Sequence, residues 1–122
     1  MAWNFTSERP VYLQIAERIQ SSVIRGEFAP GEQIPSVRQL ALTAAVNPNT
    51  VQRAFTELED EGLIVSCGTN GRFVTQDLDV IERCRLKKAG ELVSTFIDKA
   101  SILRLDQNTL ITMIKEEYNE RS

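Results

Sequence analysis

The chain has 122 residues, of which 42% are hydrophobic, and a formal net charge of −3. This length and hydrophobic content allow one compact domain, or a small domain with an oligomerisation segment. The sequence has no histidine, no cysteine pair at metal-ligand spacing and no phosphate-cradling glycine loop. We therefore expect no enzyme activity, no metal site and no cofactor.

Targeting signals are also missing from the sequence. No apolar run reaches the ~20 residues of a membrane span, and the first residues lack a basic segment followed by an apolar one. We expect a cytoplasmic protein with no membrane partner. Its two cysteines, Cys67 and Cys84, are expected to be reduced and structural.

The acidic residues are unevenly distributed along the chain. None lies between Glu32 and Glu57, a stretch that contains Arg38 and Arg53, and none lies within residues 62–76. This distribution keeps negative charge away from one part of the chain. It suits contact with phosphates, although the total charge is negative.

A helical pattern begins after Pro10. Apolar residues recur at helical spacing in Tyr12, Ile15, Ile19 and Val23, and Gly26 is expected to end this first helix. Residues 27–32 then form a turn-rich connector around a Pro-Gly pair.

A second helix is predicted after Pro35, with Ser36 as its N-cap and one buried side formed by Val37, Leu40 and Ala41. Its first turn carries Arg38. A guanidinium beside the free N–H groups of a helix N-terminus suits a backbone phosphate, although a surface salt bridge is the alternative role.

A third helix is predicted from Asn47 as N-cap and Pro48 at the first helical position. One face is apolar and the opposite face is polar, with Asn49, Gln52, Arg53 and Thr56. Amide side chains can pair with adenine and arginine with guanine, so this face could read bases. Two short helices joined by a tight turn form a helix-turn-helix.

Two β-like runs follow, at residues 63–66 and 72–75, around a glycine-rich turn at 67–71. A hairpin directly after a helix-turn-helix makes a winged helix. Its tip, at residues 68–71, could approach a DNA backbone closely because Gly68 and Gly71 have no side chain.

The C-terminal part carries two amphipathic patterns. The first predicts a helix from about residue 77 to 100, and the second predicts a helix after Asp106 as N-cap. Two such helices beyond a complete winged helix can pack partly on their own domain or against a partner chain, and a partner chain is the simpler interpretation. The candidate dimerisation residues are Leu92, Val93, Phe96, Ile97, Ala100, Leu110, Ile114 and Tyr118.

These patterns together predict a mainly α fold with a small β-hairpin. Residues 1–76 form a winged helix-turn-helix DNA-binding domain, and residues 77–122 form a two-helix dimerisation segment. The second segment is small for an enclosed ligand cavity. Phe96 and Tyr118 either belong to the interface core or line a ligand space at the dimer seam, and the sequence identifies no effector.

Several blocks of the chain, taken in order and spacing, resemble the GntR family of transcriptional regulators, and in particular the short YtrA-type subfamily. The matching blocks are residues 10–15 (PVYLQI), 26–41 (GEFAPGEQIPSVRQLA), 46–55 (VNPNTVQRAF), 58–64 (LEDEGLI) and 71–74 (GRFV). The close resemblance covers roughly residues 3–75. The C-terminal resemblance rests on length and a two-helix pattern.

The resemblance implies a bacterial regulator, expected to be a repressor, that binds a near-palindromic operator in double-stranded DNA as a homodimer. The candidate DNA-binding residues are Ser36, Arg38, Asn47, Asn49, Thr50, Gln52, Arg53, Thr69, Asn70, Gly71 and Arg72. The chain departs from the family at Ala45, where glycine is usual. If that position needs a positive φ, alanine costs about 1 kcal/mol.

One alternative from another class stays open. The negative net charge and a wing tip less basic than is usual in the family also fit a winged helix that serves as a protein–protein adaptor, without specific DNA binding. An adaptor would release no phosphate counterions, so the salt dependence of DNA binding separates the two functions.

Overall fold

The structure, a computed structural model, describes residues 3–122. In this range three α-helices are followed by a two-stranded antiparallel sheet and two more α-helices. The bounds are α1 Val11–Ile24, α2 Val37–Ala44, α3 Pro48–Asp60, β1 Ile64–Ser66, β2 Arg72–Val74, α4 Leu78–Ile102 and α5 Gln107–Arg121. This is the predicted winged helix-turn-helix followed by two helices.

The chain divides into two compact units, the first ending at Leu86 and the second running over Lys87–Ser122. The first unit therefore extends beyond residue 76, where the sequence pattern places the end of the winged helix. Val80 and Ile81 pack against the core of the first unit, and Cys84 is buried in it. The beginning of α4 thus completes the winged-helix core.

The core of the first unit lies mainly between α1 and α3, which pack against each other. The predicted apolar residues of α1 are buried at Ile15, Ile19 and Val23. The apolar face of α3 meets them, and its Phe55 and Leu58 are fully buried. Burying each such side chain contributes about 1.5–3 kcal/mol, so this contact fixes the position of α3.

Both predicted N-caps of the helix-turn-helix are confirmed. Ser36 Oγ accepts a hydrogen bond from the Gln39 amide at 3.1 Å, and Gln39 Oε1 accepts one from the Ser36 amide at 2.9 Å. This reciprocal pair is a capping box. At α3, Asn47 Oδ1 accepts from the Asn49 amide at 2.8 Å, and Pro48 occupies the first turn.

The turn between α2 and α3 places Ala45 in the left-handed region, with φ 59° and ψ 50°. The position does require a positive φ, as the departure from the family's glycine suggested. An alanine Cβ is disfavoured there by steric contact with the backbone. The helix-turn-helix therefore contains a strained residue at its corner.

We expect Ala45→Gly to raise the free energy of unfolding by about 1 kcal/mol, because glycine adopts this conformation without the Cβ contact. Chemical denaturation would measure the change. The control is Ser21→Gly, at an exposed position within α1, which is expected to lower stability by about 0.5 kcal/mol. Equal loss of stability in both variants would contradict the assignment of strain to Ala45.

The hairpin pairs Ile64 with Val74, Val65 with Phe73 and Ser66 with Arg72. The segment before α2 runs along the outer edge of β2. There the Gly31 amide donates to the Val74 carbonyl at 2.9 Å and the Ile34 amide to the Arg72 carbonyl at 3.0 Å. The hairpin is thereby attached to the start of the helix-turn-helix.

The two cysteines have different surroundings. Cys84 is buried in the core, as expected for a structural cysteine, whereas Cys67 is exposed at the end of the hairpin. The expectation of a structural role therefore fits Cys84 only. Cys67 lies in the turn, where side chains face solvent.

In the second unit, the predicted N-cap of α5 is confirmed, since Asp106 Oδ1 accepts from the Thr109 amide at 2.8 Å. Hydrogen bonds from the Thr109 side chain and backbone hold the pKa of the Asp106 carboxyl below its ordinary value. Within residues 3–122, the structure contains no helix with the length and hydropathy needed to cross a membrane.

Candidate nucleic-acid interface

The outward face of α3 carries the polar residues that the sequence pattern places there. Asn49, Gln52 and Arg53 are exposed, and Thr50 is half-buried. The opposite face is buried against α1. Because this packing prevents α3 from rotating about its axis, the side chains of Asn49 and Gln52 stay on its exposed face.

The two capping residues among the predicted DNA contacts already have structural partners. Asn47 uses its side-chain oxygen to cap α3, and Ser36 uses its hydroxyl to cap α2. Both side chains remain exposed. Their first contribution is therefore to fix where the two helices begin.

Arg53 does not extend freely into solvent. Its guanidinium carbon lies 3.9 Å from the centre of the Tyr12 ring, at cation–π distance. Tyr12 is half-buried in the first turn of α1. Sequence reasoning assigned Tyr12 to the buried stripe of α1 and missed this contact, which depends on how α1 packs beside α3.

A groove of about 690 Å³ lies between the N-terminus of α2 and the hairpin. Its lining includes Arg38, Gln39 and Arg72, and none of the residues that line it is acidic. Arg38 is exposed in the first turn of α2, beside the N–H groups of the helix terminus. Such an arrangement favours an anion.

Arg72 has partners within the protein. Its Nε donates to Glu59 Oε1 at 3.2 Å, and its guanidinium lies 5.1 Å from the centre of the buried Phe55 ring. Only 23% of its side chain is exposed. Arg72 thus links β2 to α3, whereas the sequence pattern suggested an outward contact near the wing tip.

The wing tip is held by a long-range hydrogen bond. Gln33 Nε2 donates to the carbonyl oxygen of Asn70 at 2.8 Å. Thr69 and Asn70 are exposed, and Gly71 has a φ of 102°. Sequence reasoning also missed Gln33, because a lone glutamine in a connector carries no signal of a partner 37 residues away.

We expect Gly71→Ala to disturb the wing tip more than Gly68→Ala. A Cβ at Gly71 would lie 2.6 Å from Gln33 Nε2, at a backbone conformation that also disfavours alanine. A Cβ at Gly68, where φ is 60°, meets no atom within 4 Å, whereas the φ of 102° and ψ of −161° at Gly71 lie in a region that is essentially restricted to glycine. The expected losses of unfolding free energy are about 1–3 kcal/mol for Gly71→Ala and about 1 kcal/mol for Gly68→Ala.

Chemical denaturation and amide hydrogen exchange of residues 67–72 would compare the two variants. Faster exchange confined to Gly71→Ala would support the greater expected disturbance of the wing tip at Gly71. Indistinguishable stability and exchange in both variants would contradict it.

The second unit exposes the apolar residues predicted for dimerisation. Leu92 is 73% exposed and Tyr118 is also 73% exposed, while the other large members of this set are between half-buried and exposed. No side chain of α5, all of which the structure describes, is buried. The second unit therefore presents a large apolar surface.

Ala100 differs from the rest of the predicted dimerisation set. It is only 4% exposed and lies in the last turn of α4, where the amides of Leu103 and Leu105 donate to its carbonyl oxygen. Its side chain is enclosed by its own chain. The helical stripe grouped Ala100 with its neighbours but could not show that its own chain covers it.

The winged helix, its exposed polar helix face and its groove with two arginines define the class of helix-turn-helix transcriptional regulators. Residues 11–74 match the family model of bacterial regulatory proteins of the gntR family. The chain belongs to the GntR family. It is a DNA-binding transcriptional regulator, a class that is not enzymatic.

Two relatives in Bacillus subtilis place the chain within this family. It is 33% identical to the HTH-type transcriptional regulator YhcF over 91% of this chain and 92% of that protein. It is 38% identical to the HTH-type transcriptional repressor YtrA over 58% of this chain and 55% of that protein. The chain thus matches YhcF over nearly its whole length and YtrA over little more than half.

Solved structures agree with these relatives. A GntR-family transcriptional regulator from Listeria monocytogenes is 33% identical, with a TM-score of 0.86, and the match covers 92% of this chain and 98% of that chain. The DNA-binding domain of AraR in complex with its operator ORX1 is 30% identical, with a TM-score of 0.55 over 62% of this chain and 93% of that chain.

Proposed function

We propose that the protein represses transcription by binding a near-palindromic operator as a homodimer. The observation that carries this proposal is the exposed face of α3, where Asn49 and Gln52 project from a helix whose other face is buried. Helices of this kind read base edges in the major groove of DNA.

The proposed division of labour follows from the surroundings of each residue. Asn49 and Gln52 read bases, because amide side chains can pair bidentately with adenine. Arg38 and the N-terminus of α2 contact a phosphate and fix the position of the domain on the duplex. The wing tip, at Thr69 and Asn70, lies near the backbone or minor groove.

A homodimer is proposed from the second unit. Monomeric proteins rarely expose a large continuous apolar surface, and α4 and α5 expose most of theirs. A second copy of residues 87–122 would cover it. Two-fold symmetry would then place two recognition helices in successive major grooves, about 34 Å apart.

Repression is the proposed outcome of this binding. YtrA carries the name of a repressor, and AraR was solved with its operator. A chain of this size that occupies a promoter would block polymerase by occlusion alone. The residues that match the family model, 11–74, include every proposed DNA contact.

A salt titration would test the proposal. Binding to DNA upstream of the protein's own gene is compared with binding to a random duplex at several salt concentrations. Selective binding that weakens steeply with salt, with a two-fold symmetric footprint, is the expected result. Weak binding that is equal on both duplexes and insensitive to salt would instead support the protein–protein adaptor.

A further inference from the structure

Tyr12 is the residue of α1 that meets the recognition helix on its exposed side. Its ring lies in the first turn of α1 and is half-buried, while Arg53 is exposed on α3. The guanidinium carbon of Arg53 is 3.9 Å from the ring centre. This contact joins the beginning of α1 to the outward surface of α3.

Stacking on an aromatic ring restricts a guanidinium without removing its hydrogen bonds. The five N–H donors point outward in the plane of the group, so a ring that covers one face leaves the donors at the edges accessible. A planar fork of this kind matches two oxygens of a phosphate. The contact with Tyr12 therefore restricts the Arg53 side chain before an anion binds. Less side-chain entropy is then lost on binding.

The direction of the side chain distinguishes a phosphate from a base. Asn49 and Gln52 are exposed on α3, whereas the Arg53 side chain is directed toward α1 and contacts the ring of Tyr12. With α3 in the major groove, a group at the side of the helix meets the sugar–phosphate edge of that groove rather than its floor.

We propose that Tyr12 is a positioning residue for DNA binding, which holds Arg53 at the α1 side of the recognition helix to donate to a backbone phosphate. The inference rests on the proposed operator binding and changes the role of Arg53 from base reading to phosphate contact. It also makes α1 part of the DNA-binding surface.

The chain contains a matched control. Arg18 stacks on Trp3 with the same separation of 3.9 Å, but neither residue lies on α3. Replacing Arg18 removes a cation and a contact with an aromatic ring at the same distance. Any effect that follows from net charge or from loss of a stack alone will appear in Arg18→Ala as well.

The experiment measures the affinity for operator and random duplexes and the slope of log affinity against log salt concentration. The proteins compared are wild type, Tyr12→Phe, Tyr12→Leu, Arg53→Ala, the Tyr12→Leu/Arg53→Ala double variant and Arg18→Ala. We expect Arg53→Ala to weaken binding to both duplexes by roughly 10²-fold, because a dimer loses two contacts, and to reduce the salt slope by about one per bound protomer. Tyr12→Leu should weaken both by roughly 3-fold or more, and the double variant should lose little beyond Arg53→Ala. Tyr12→Phe and Arg18→Ala should bind as wild type does.

Arg53→Lys provides a test that leaves Tyr12 and the core intact. Lysine keeps the charge but lacks the planar fork, so a loss of roughly 3-fold or more on both duplexes is expected. Wild-type affinity in Arg53→Lys, or in a folded Tyr12→Leu, would overturn the positioning role. A loss confined to the operator in Arg53→Ala would overturn the phosphate assignment. If the wild-type protein shows no salt-dependent binding to either duplex, the result contradicts the proposed operator binding itself, and with it the role of Tyr12.

Discussion

Leu92→Asp is expected to separate the proposed dimer and to lower operator affinity by roughly 10²–10⁴-fold. Leu92 is 73% exposed on α4. Because each protomer contributes one copy, an interface with two-fold symmetry would bury two of the new carboxylates. Burying an unpaired charge is costly, so the protomers would dissociate. Each protomer would then bind a half-site without the gain that comes from linking two sites.

Light scattering would give the mass in solution, and a binding titration would give the affinity. The control is Leu78→Asp, because Leu78 is 65% exposed on the same helix and lies outside the predicted dimerisation set. Leu78→Asp should remain dimeric. A Leu92→Asp protein that keeps the mass of a dimer would rule out this face as the interface.

Arg38→Ala is expected to lower affinity by roughly 10²–10⁴-fold on operator and random duplex alike. A hydrogen bond to a charged group contributes about 1.5–3 kcal/mol, and a dimer would lose two such contacts. The salt slope should also fall by about two, since two phosphates lose their cation. Gln52→Ala should differ, weakening the operator by about 1–3 kcal/mol while leaving the random duplex nearly unchanged.

Arg25→Ala serves as the control for loss of positive charge. Arg25 is exposed after the end of α1, where it pairs with Glu27 at 3.2 Å. Its replacement should leave both affinity and slope near those of wild type. An Arg38→Ala variant that binds normally and remains folded would remove the groove at α2 from the DNA-binding surface.

The parts of the fold that could be predicted from sequence are those governed by local chemistry. Ser36, Asn47 and Asp106 cap helices because their side chains reach amides only two or three residues away. The apolar stripes of α1 and α3 follow from helical spacing. The hairpin follows from its turn residues, and the resemblance to a family added the order of these parts.

What could not be predicted depends on packing between distant segments. The Arg53–Tyr12 stack requires α1 beside α3, and the Arg72–Glu59 pair requires the hairpin beside α3. Both arginines looked like free cations in the sequence. Similarly, Cys84 belongs to the winged-helix core only because the beginning of α4 returns to it.

The hydrogen bond from Gln33 to Asn70 bears on the thermodynamics of association. With the wing tip already tied down and both helices capped, the surface proposed to meet DNA needs little ordering when it binds. Binding by a preordered surface lacks the large negative heat-capacity change that accompanies coupled folding. Calorimetry across temperatures should therefore give a heat-capacity change no larger than the apolar surface buried against DNA accounts for, apart from any deformation of the duplex.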